Sequence, residues 1–322
     1  MKTIKAARLH SYGGPEAMQV ECVPLREPRL GELLVCVHAA GLNPMDWKIR
    51  AGYLREKMPL ELPVILGGDF SGVVEAAGPD VAALQPGDLV YGDASARRGG
   101  SGAFAEFVIA PADNVAAKPR RLDDLEAAAL PLTGVSALQA LTEHLKISAG
   151  QSVLIHGGAG GIGRIAIQFA KHFGARVATT VGAADLGLAR ELGAEIVLDY
   201  RAQKFEDVLD DLDAVFDTVG GDTYVRSFKV LRKGGRLVSM LEQPRQQLVT
   251  EFSVAASILF TQVTTERLNT LSELVDRGAL NVHVDKTFPL REAATALGEF
   301  ERRSVTGRAV LTVGAAAAGD PP

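Results

Sequence analysis

Two cysteines, Cys22 and Cys36, are the only thiols in 322 residues. They are too few for a four-thiolate structural zinc site, and both lie in strand-like apolar stretches that read as small buried thiols. The six histidines, His10, His38, His144, His156, His172 and His283, are scattered without metal-ligand spacing. None is a catalytic candidate, and His156 reads as filling the end of a strand. Basic charge is not in excess: 34 Lys and Arg against 39 Asp and Glu leave a net charge of -5. That balance argues against nucleic acid or an anionic membrane as main partner. No apolar run reaches the roughly 18 residues of a membrane span, and MKTIKAARLH has no apolar targeting core. The expected location is the cytoplasm. There is no internal repeat, and the only low-complexity stretch is the tail GAAAAGDPP, expected to be disordered.

What is present is a change of pattern along the chain. Up to about Asp124 the segments are short, β-rich and broken by Gly and Pro, as in ELLVCVHAAGL, GVVEAAG, DLVYGD and AFAEFVIAP; this predicts an irregular antiparallel domain. From about Leu125 to Thr261, apolar runs such as QSVLIHG, ARVATTV, EIVLDY, DAVFDTVGG and RLVSML alternate with helical periodicity. Alternation of that kind predicts a parallel sheet covered on both faces. From Gln262 onward come two amphipathic helices and a closing strand, GRAVLTV. That strand has no evident partner in its own segment and is expected to return to the first domain. The expected domains are therefore 1–124 with 262–322, and 125–261.

The stretch VLIHGGAGGIGRIAIQFAK carries the chemistry. Gly158, Gly160 and Gly163 form G-x-G-x-x-G directly after a strand and before a helix whose Ile165, Ala166, Phe169 and Ala170 share one face. A bare strand-to-helix turn needs one or two glycines. This spacing instead lets backbone N–H groups approach a pyrophosphate at a helix N-terminus. Gly158, Ala159, Gly160, Gly161, Ile162 and Gly163 are the candidate dinucleotide contacts. At the end of the second strand, Thr179, Thr180, Val181 and Gly182 stand where an acid would hold the ribose 2′-OH of NAD. A 2′-phosphate would have room there, yet no cation lies in the same turn and Asp185 would repel it. Tyr200 and Arg201 are the nearest candidates, with Arg201 reading equally as a solvated surface charge.

Together, the glycine stretch, LNPMDWKIRAGY at 42–53, LGGDFSGVVEAAG at 66–78, LPLTGVSALQAL at 130–141, FDTVGG at 216–221 and GRAVLTV resemble the zinc-independent medium-chain dehydrogenase/reductases. The chain is most similar to the NADPH:quinone oxidoreductase, or zeta-crystallin-like, branch. The resemblance implies a doubly wound α/β Rossmann sheet inserted into a GroES-like, mostly β catalytic domain. It implies NADPH as cofactor, with NADH not excluded, and a quinone or α,β-unsaturated carbonyl as acceptor. It places Asn43 beside the nicotinamide, Asp46 as its organiser and Tyr53 as a donor to the acceptor oxygen. Thr133, Thr180, Tyr200 and Val219 become cofactor contacts. Trp47 and Tyr53 read equally as packing residues, Thr133 as a helix N-cap, and Asp217 as a group that orients its loop. Zinc relatives carry Cys where this chain has Asn43, and Gly-His-Glu where it has Gly67, Gly68 and Asp69, so no metal is expected. Without a Lewis acid, an acceptor that spreads charge into an enolate is the easier substrate. An enoyl-thioester reductase and a non-catalytic NADPH-binding protein would share these motifs. The segment ASARRGGSGAF at 94–104 is expected to be a flexible, solvated loop or a lid, and the apolar FSVAASILFTQV to pair a homodimer through a sheet edge.

Overall fold

The computed structural model describes residues 2–57, 59–302, 304–305 and 307–314; the rest of the tail at 315–322 lies outside them. The strands, in chain order, are β1 (Thr3–Leu9), β2 (Met18–Pro24), β3 (Glu32–Gly41), β4 (Val64–Ile65), β5 (Asp69–Ala77), β6 (Leu89–Asp93), β7 (Phe107–Pro111) and β8 (Val115–Ala117). They continue with β9 (Ser152–His156), β10 (Arg176–Val181), β11 (Ile196–Asp199), β12 (Leu212–Asp217), β13 (Leu231–Ser239), β14 (Ala255–Ile258), β15 (Lys286–Pro289) and β16 (Ala309–Thr312). Two compact units result, one of Met1–Leu132, Val263–Arg277 and Val282–Pro322, the other of Thr133–Gln262 and Gly278–Asn281. Residues 125–132, including most of the helix Asp124–Ala128, thus lie with the first unit.

The first unit holds a three-stranded sheet, β2-β1-β4, and a seven-stranded one in which β15-β16-β3-β5-β6-β8 run in order and β7 also pairs with β3. Its core gathers Leu33, Val35, Val37, Phe70, Val90, Phe104, Val108 and Leu311, all buried. β16 pairs antiparallel with β3, Leu311 opposite Ala40. It also pairs parallel with β15, Phe288 opposite Leu311, which corrects the expectation that the closing strand lacks a partner in its own segment. KTFP is short and lies between Asp285 and a helix, so periodicity did not mark it as a strand. The thiols are corrected too: Cys22 is exposed and Cys36 only half-buried, because side chains on a strand alternate between faces. Segment 94–104 is solvated only in its middle, where Arg97 and Gly99 are exposed; its ends are not. Ala94, Ala103 and Phe104 are fully buried, the Gly102 N–H donates to the Ala94 carbonyl at 2.8 Å, and a Cβ at Gly102 would stand 2.2 Å from the Ile65 carbonyl oxygen. Its apolar ends anchor it.

The second unit is one parallel sheet, β11-β10-β9-β12-β13-β14. The order reverses beside β9, where a doubly wound sheet places its ligand crevice at the carboxyl edge. All five residues of β9 are buried, as its position between β10 and β12 demands. β11 and β14 form the edges. Among the described residues no helix is long and apolar enough to cross a membrane.

Candidate functional site

In the second unit the site begins where β9 stops. After His156 the chain turns through Gly157, whose φ of +73° is disfavoured for any side chain. The Thr180 carbonyl accepts the N–H groups of Gly157 and Gly158, both at 3.1 Å. A Cβ at Gly158 would stand 2.1 Å from Thr179 Oγ1, and one at Gly163 would stand 2.2 Å from the Gly157 carbonyl oxygen; these glycines let helix and sheet close up. Gly160 differs. It is exposed, and its Cβ would meet only the Gly157 carbonyl oxygen at 3.2 Å. Gly160 caps the helix Gly161–His172, so the amides of Gly161, Ile162 and Gly163 fall in the first turn, where no intrahelical acceptor exists. Ala159, Gly161 and Ile162 are half-buried. This is a cradle of N–H groups with positive helix polarity, and it fits a dinucleotide pyrophosphate.

The surroundings stiffen that turn. His156 is fully buried, with Nδ1 3.0 Å from Thr180 Oγ1 and Nε2 3.0 Å from Ser227 Oγ. Burial pushes the imidazole down to about 3, so it is neutral and structural, as read from the sequence. Thr180 is 5% exposed: its hydroxyl and carbonyl hold the turn from beneath rather than facing outward. On the neighbouring strand, Asp217 Oδ1 accepts the N–H groups of Val219 at 3.0 Å and Gly220 at 2.9 Å, while Ser239 Oγ donates to Oδ2 at 2.7 Å. Asp217 therefore orients its loop and leaves Val219 half exposed beside the glycine turn. At the far side, a Cβ at Gly182 would lie 3.9 Å from both Asp185 Oδ2 and the Tyr200 ring. The Arg201 guanidinium sits 5.4 Å from the Tyr200 ring centroid, which places a cation beside that turn. Thr133 is the third residue of the helix Pro131–Leu138 and is buried; it is not the N-cap.

The first unit carries the other candidates. Asn43 ends the run after β3 and precedes the helix Pro44–Arg50. Asp46 Oδ2 accepts the Asn43 N–H at 2.7 Å, which returns the first helical turn onto its cap. The Asn43 side chain is held at both ends: Nδ2 donates to Asp69 Oδ2 at 2.9 Å, and Oδ1 accepts from Arg308 Nη1 at 2.9 Å. Arg308 Nη1 also donates to the Leu42 carbonyl at 3.0 Å, and Nη2 lies 3.6 Å from Asp69. All of these side chains are buried. Burial pushes the Asp46 carboxyl up to about 8 and Asp69 up to about 7, opposed at Asp46 by the Asn43 N–H and at Asp69 by Arg308. Tyr53 is 72% exposed and meets Trp47 edge to face at 5.7 Å; Trp47 itself is half-buried and packs against the core of the first unit.

Sequence reading missed Arg308, and passed over Asp69 except as a zinc-relative position. The available signal was a charge inside an apolar strand context, in GRAVLTV and in LGGDFSGVV, since a buried charge requires a partner. Among the described residues no group of three or more His, Cys, Asp or Glu could hold a metal ion.

Comparison with known proteins follows the same outline. Residues 29–120 match the family model described as the alcohol dehydrogenase GroES-like domain, and residues 192–311 match the model described as a zinc-binding dehydrogenase. The chain is 33% identical over 320 residues to the chloroplastic NADPH-dependent alkenal/one oxidoreductase of Arabidopsis thaliana, covering 96% of this chain and 80% of that one. It is 38% identical over 242 residues to the 2-methylene-furan-3-one reductase of Solanum lycopersicum, a match spanning 73% of this chain and 61% of that protein. Among solved structures, the quinone oxidoreductase from Coxiella burnetii superposes with a TM-score of 0.87 at 35% identity, over 97% of this chain and all of that one.

Proposed function

Because this chain belongs to the quinone oxidoreductase branch of the medium-chain dehydrogenase/reductase superfamily, we propose that it reduces quinones and α,β-unsaturated carbonyl compounds with NADPH and without a metal ion. The observation that carries the reading is the glycine turn, whose exposed Gly160 and unshared first-turn amides form an anion cradle at the carboxyl edge beside β9. When bound there, NADPH supplies the hydride. The protein's own part is to bind and orient. Gly161, Ile162 and Gly163 present N–H groups to the pyrophosphate, Thr180 and His156 keep that turn rigid from below, and Asp217 fixes the loop bearing Val219.

Zinc does not fit the position its relatives use. Gly68 has no side chain, the Asn43 carboxamide is bound by Asp69 and Arg308, and the buried guanidinium already brings positive charge there. Tyr53, an exposed phenol on the first unit, offers an O–H donor for an acceptor oxygen as it gains negative charge. Asp46 acts through Asn43, holding the backbone that carries the carboxamide. β14, at the sheet edge, has half-buried and exposed residues along its length. An unpaired edge is relieved by pairing, which supports a homodimer through that strand.

The test is consumption of NADPH and of NADH against quinones, enones, alkenals and enoyl thioesters. Turnover of the first three establishes the reading. Turnover of thioesters alone would replace it with an enoyl-thioester reductase, and binding of NADPH without any turnover would leave a non-catalytic protein.

A further inference from the structure

The first unit holds a cavity that the proposed chemistry does not use. Its volume is about 410 Å³, and Lys2, Leu25, Glu27, Leu34, Glu75 and Ala76 line it. All six belong to that unit, and the volume falls in the range of small-molecule sites. The floor is a cross-strand pair, Leu34 on β3 opposite Ala76 on β5. One wall follows from the backbone: the Leu25 N–H donates to the Lys2 carbonyl at 2.9 Å, which brings the chain after β2 alongside the start of β1. The other ends of β3 and β5 are Gly41 and Asp69. From Leu34 to Gly41 the extended chain spans about 23 Å, so the cavity lies well apart from the Asn43 cluster.

Its charges do not cancel. Two carboxylates and one ammonium line the cavity, and the ammonium is already engaged: Lys2 Nζ lies 4.2 Å from the Phe107 ring centroid and 4.0 Å from Glu75 Oε1. Arg26, the cation next to Glu27 in the chain, gives its guanidinium to both Glu32 oxygens, at 2.6 and 2.8 Å. Among the described residues no hydrogen bond or ion pair holds the Glu27 carboxylate. Negative charge is therefore in excess beside an apolar floor.

A thiol close by feels the same field. Cys36 stands two residues beyond Leu34 on β3 and so on the same face. Burial pushes the thiol up, and Glu75 and Glu106 push it the same way against Lys2.

We propose that this cavity is a second ligand site, separate from the dinucleotide turn, and that it takes a small organic ammonium, its head on Glu27 and Glu75 and its hydrocarbon on Leu25, Leu34 and Ala76. Exposed carboxylates hold a cation weakly by themselves. The apolar floor adds the removal of hydrocarbon from water, so head and chain are both required. No residue of the cavity belongs to the reductase site, and the two readings stand or fall separately.

The test is calorimetric titration of the full chain, at low salt, with n-hexylammonium, n-butylammonium, n-hexanol and n-hexanoate. Hexylammonium is expected to saturate one site and to bind about fivefold more tightly than butylammonium, with hexanol and hexanoate weaker by about tenfold or more. Glu27→Gln and Glu75→Gln, both at exposed positions, should each weaken hexylammonium binding about threefold to fivefold. Lys2→Met should strengthen it by removing the one cation of the lining. Position is read at Cys36 in a Cys22→Ser background, where bound hexylammonium should slow alkylation by iodoacetamide. No saturable binding, binding unchanged in both glutamine variants, or equal binding of hexanol would overturn the proposal. Hexanoate binding in place of hexylammonium would overturn it and assign the cavity to Lys2. Alkylation of Cys36 at an unchanged rate with hexylammonium bound would place the ligand elsewhere and overturn it as well. No arm uses NADPH, so failure of the reductase reading leaves these outcomes as they are.

Discussion

Arg308 Nη1 lies 2.9 Å from Asn43 Oδ1 although 265 residues separate them in the chain. The same carboxamide donates to Asp69, so its orientation is set at both ends, and the guanidinium is the counter-cation for Asp69 with Asp46 contributing to its field. Replacing Arg308 by Met should leave buried carboxyl groups without that partner and destabilise the first unit by about 3–5 kcal/mol. Arg308→Lys should recover part of the stability, since it returns the charge, but not the double donation to Leu42 and Asn43. Urea unfolding followed by the emission of Trp47, the only tryptophan, measures both.

The pH dependence of the same unit follows from Asp46. Its folded carboxyl titrates at about 8 against 3.8 for the ordinary group, so the folded state holds a proton that the unfolded chain has released. That contribution to stability is complete below about pH 4 and is lost as pH rises through 8; Asp69, raised to about 7, works in the same direction. Trp47-monitored stability should therefore fall from about pH 5 to pH 8 and level off above it. In Asp46→Asn the fall should shrink, and a slope unchanged by that substitution would show that Asp46 is ionised in the fold.

Two glycines of the turn should fail in different ways. A Cβ at Gly160 would have only one carbonyl oxygen within 4 Å, so Gly160→Val should fold yet hold the pyrophosphate off, weakening NADPH binding by about a hundredfold in a fluorescence titration. Gly163→Ala forces a methyl to within 2.2 Å of the Gly157 carbonyl oxygen and should instead lower the melting temperature.

Cofactor choice should depend on Arg201. Its guanidinium lies over Tyr200, beside the turn where Asp185 brings the opposite sign. A charged donor to phosphate contributes roughly 1.5–3 kcal/mol, and each 1.4 kcal/mol is about tenfold. Arg201→Ala should thus cut the NADPH:NADH ratio of kcat/KM by one to two decades, and Asp185→Lys should raise it. Indifference of the ratio to both would move the 2′-phosphate elsewhere.

Chelation should leave turnover intact, since Asn43 and Gly68 supply no ligand where zinc relatives have theirs. Activity lost with a chelator and restored by zinc would contradict the proposed mechanism.

Local signals carried the second unit well. Parallel strands buried on both faces must be continuous apolar runs, and a phosphate turn must be rich in glycine, so β9, β10, β12 and the 157–163 turn were legible in the residues alone. Even there, the residue with strained φ is Gly157, one place ahead of the three-glycine pattern, because the pattern records which positions lack side chains and not how the backbone bends. The first unit was legible mainly through resemblance. Some of its strands are short, β15 having four residues, and the Asn43–Asp69–Arg308 association joins three distant segments that no periodicity links. Burial of the two ends of segment 94–104 was hidden by the glycines and arginines between them. Gly102 is there for close approach to Ile65 rather than for freedom, and only tertiary packing distinguishes the two.

The late position of Arg308 also bears on how the chain is made. During synthesis Asn43, Asp46 and Asp69 emerge early, while their cation and the strand β16 that directly follows it come after all six strands of the second unit. Domains tend to fold as units during synthesis, so Thr133–Gln262 can close while the first unit still waits for its last strand. A ribosome stalled before residue 308 would display a finished nucleotide-binding unit beside an unfinished one, and a chain cut there would retain the turn that grips NADPH while losing the clamp on Asn43.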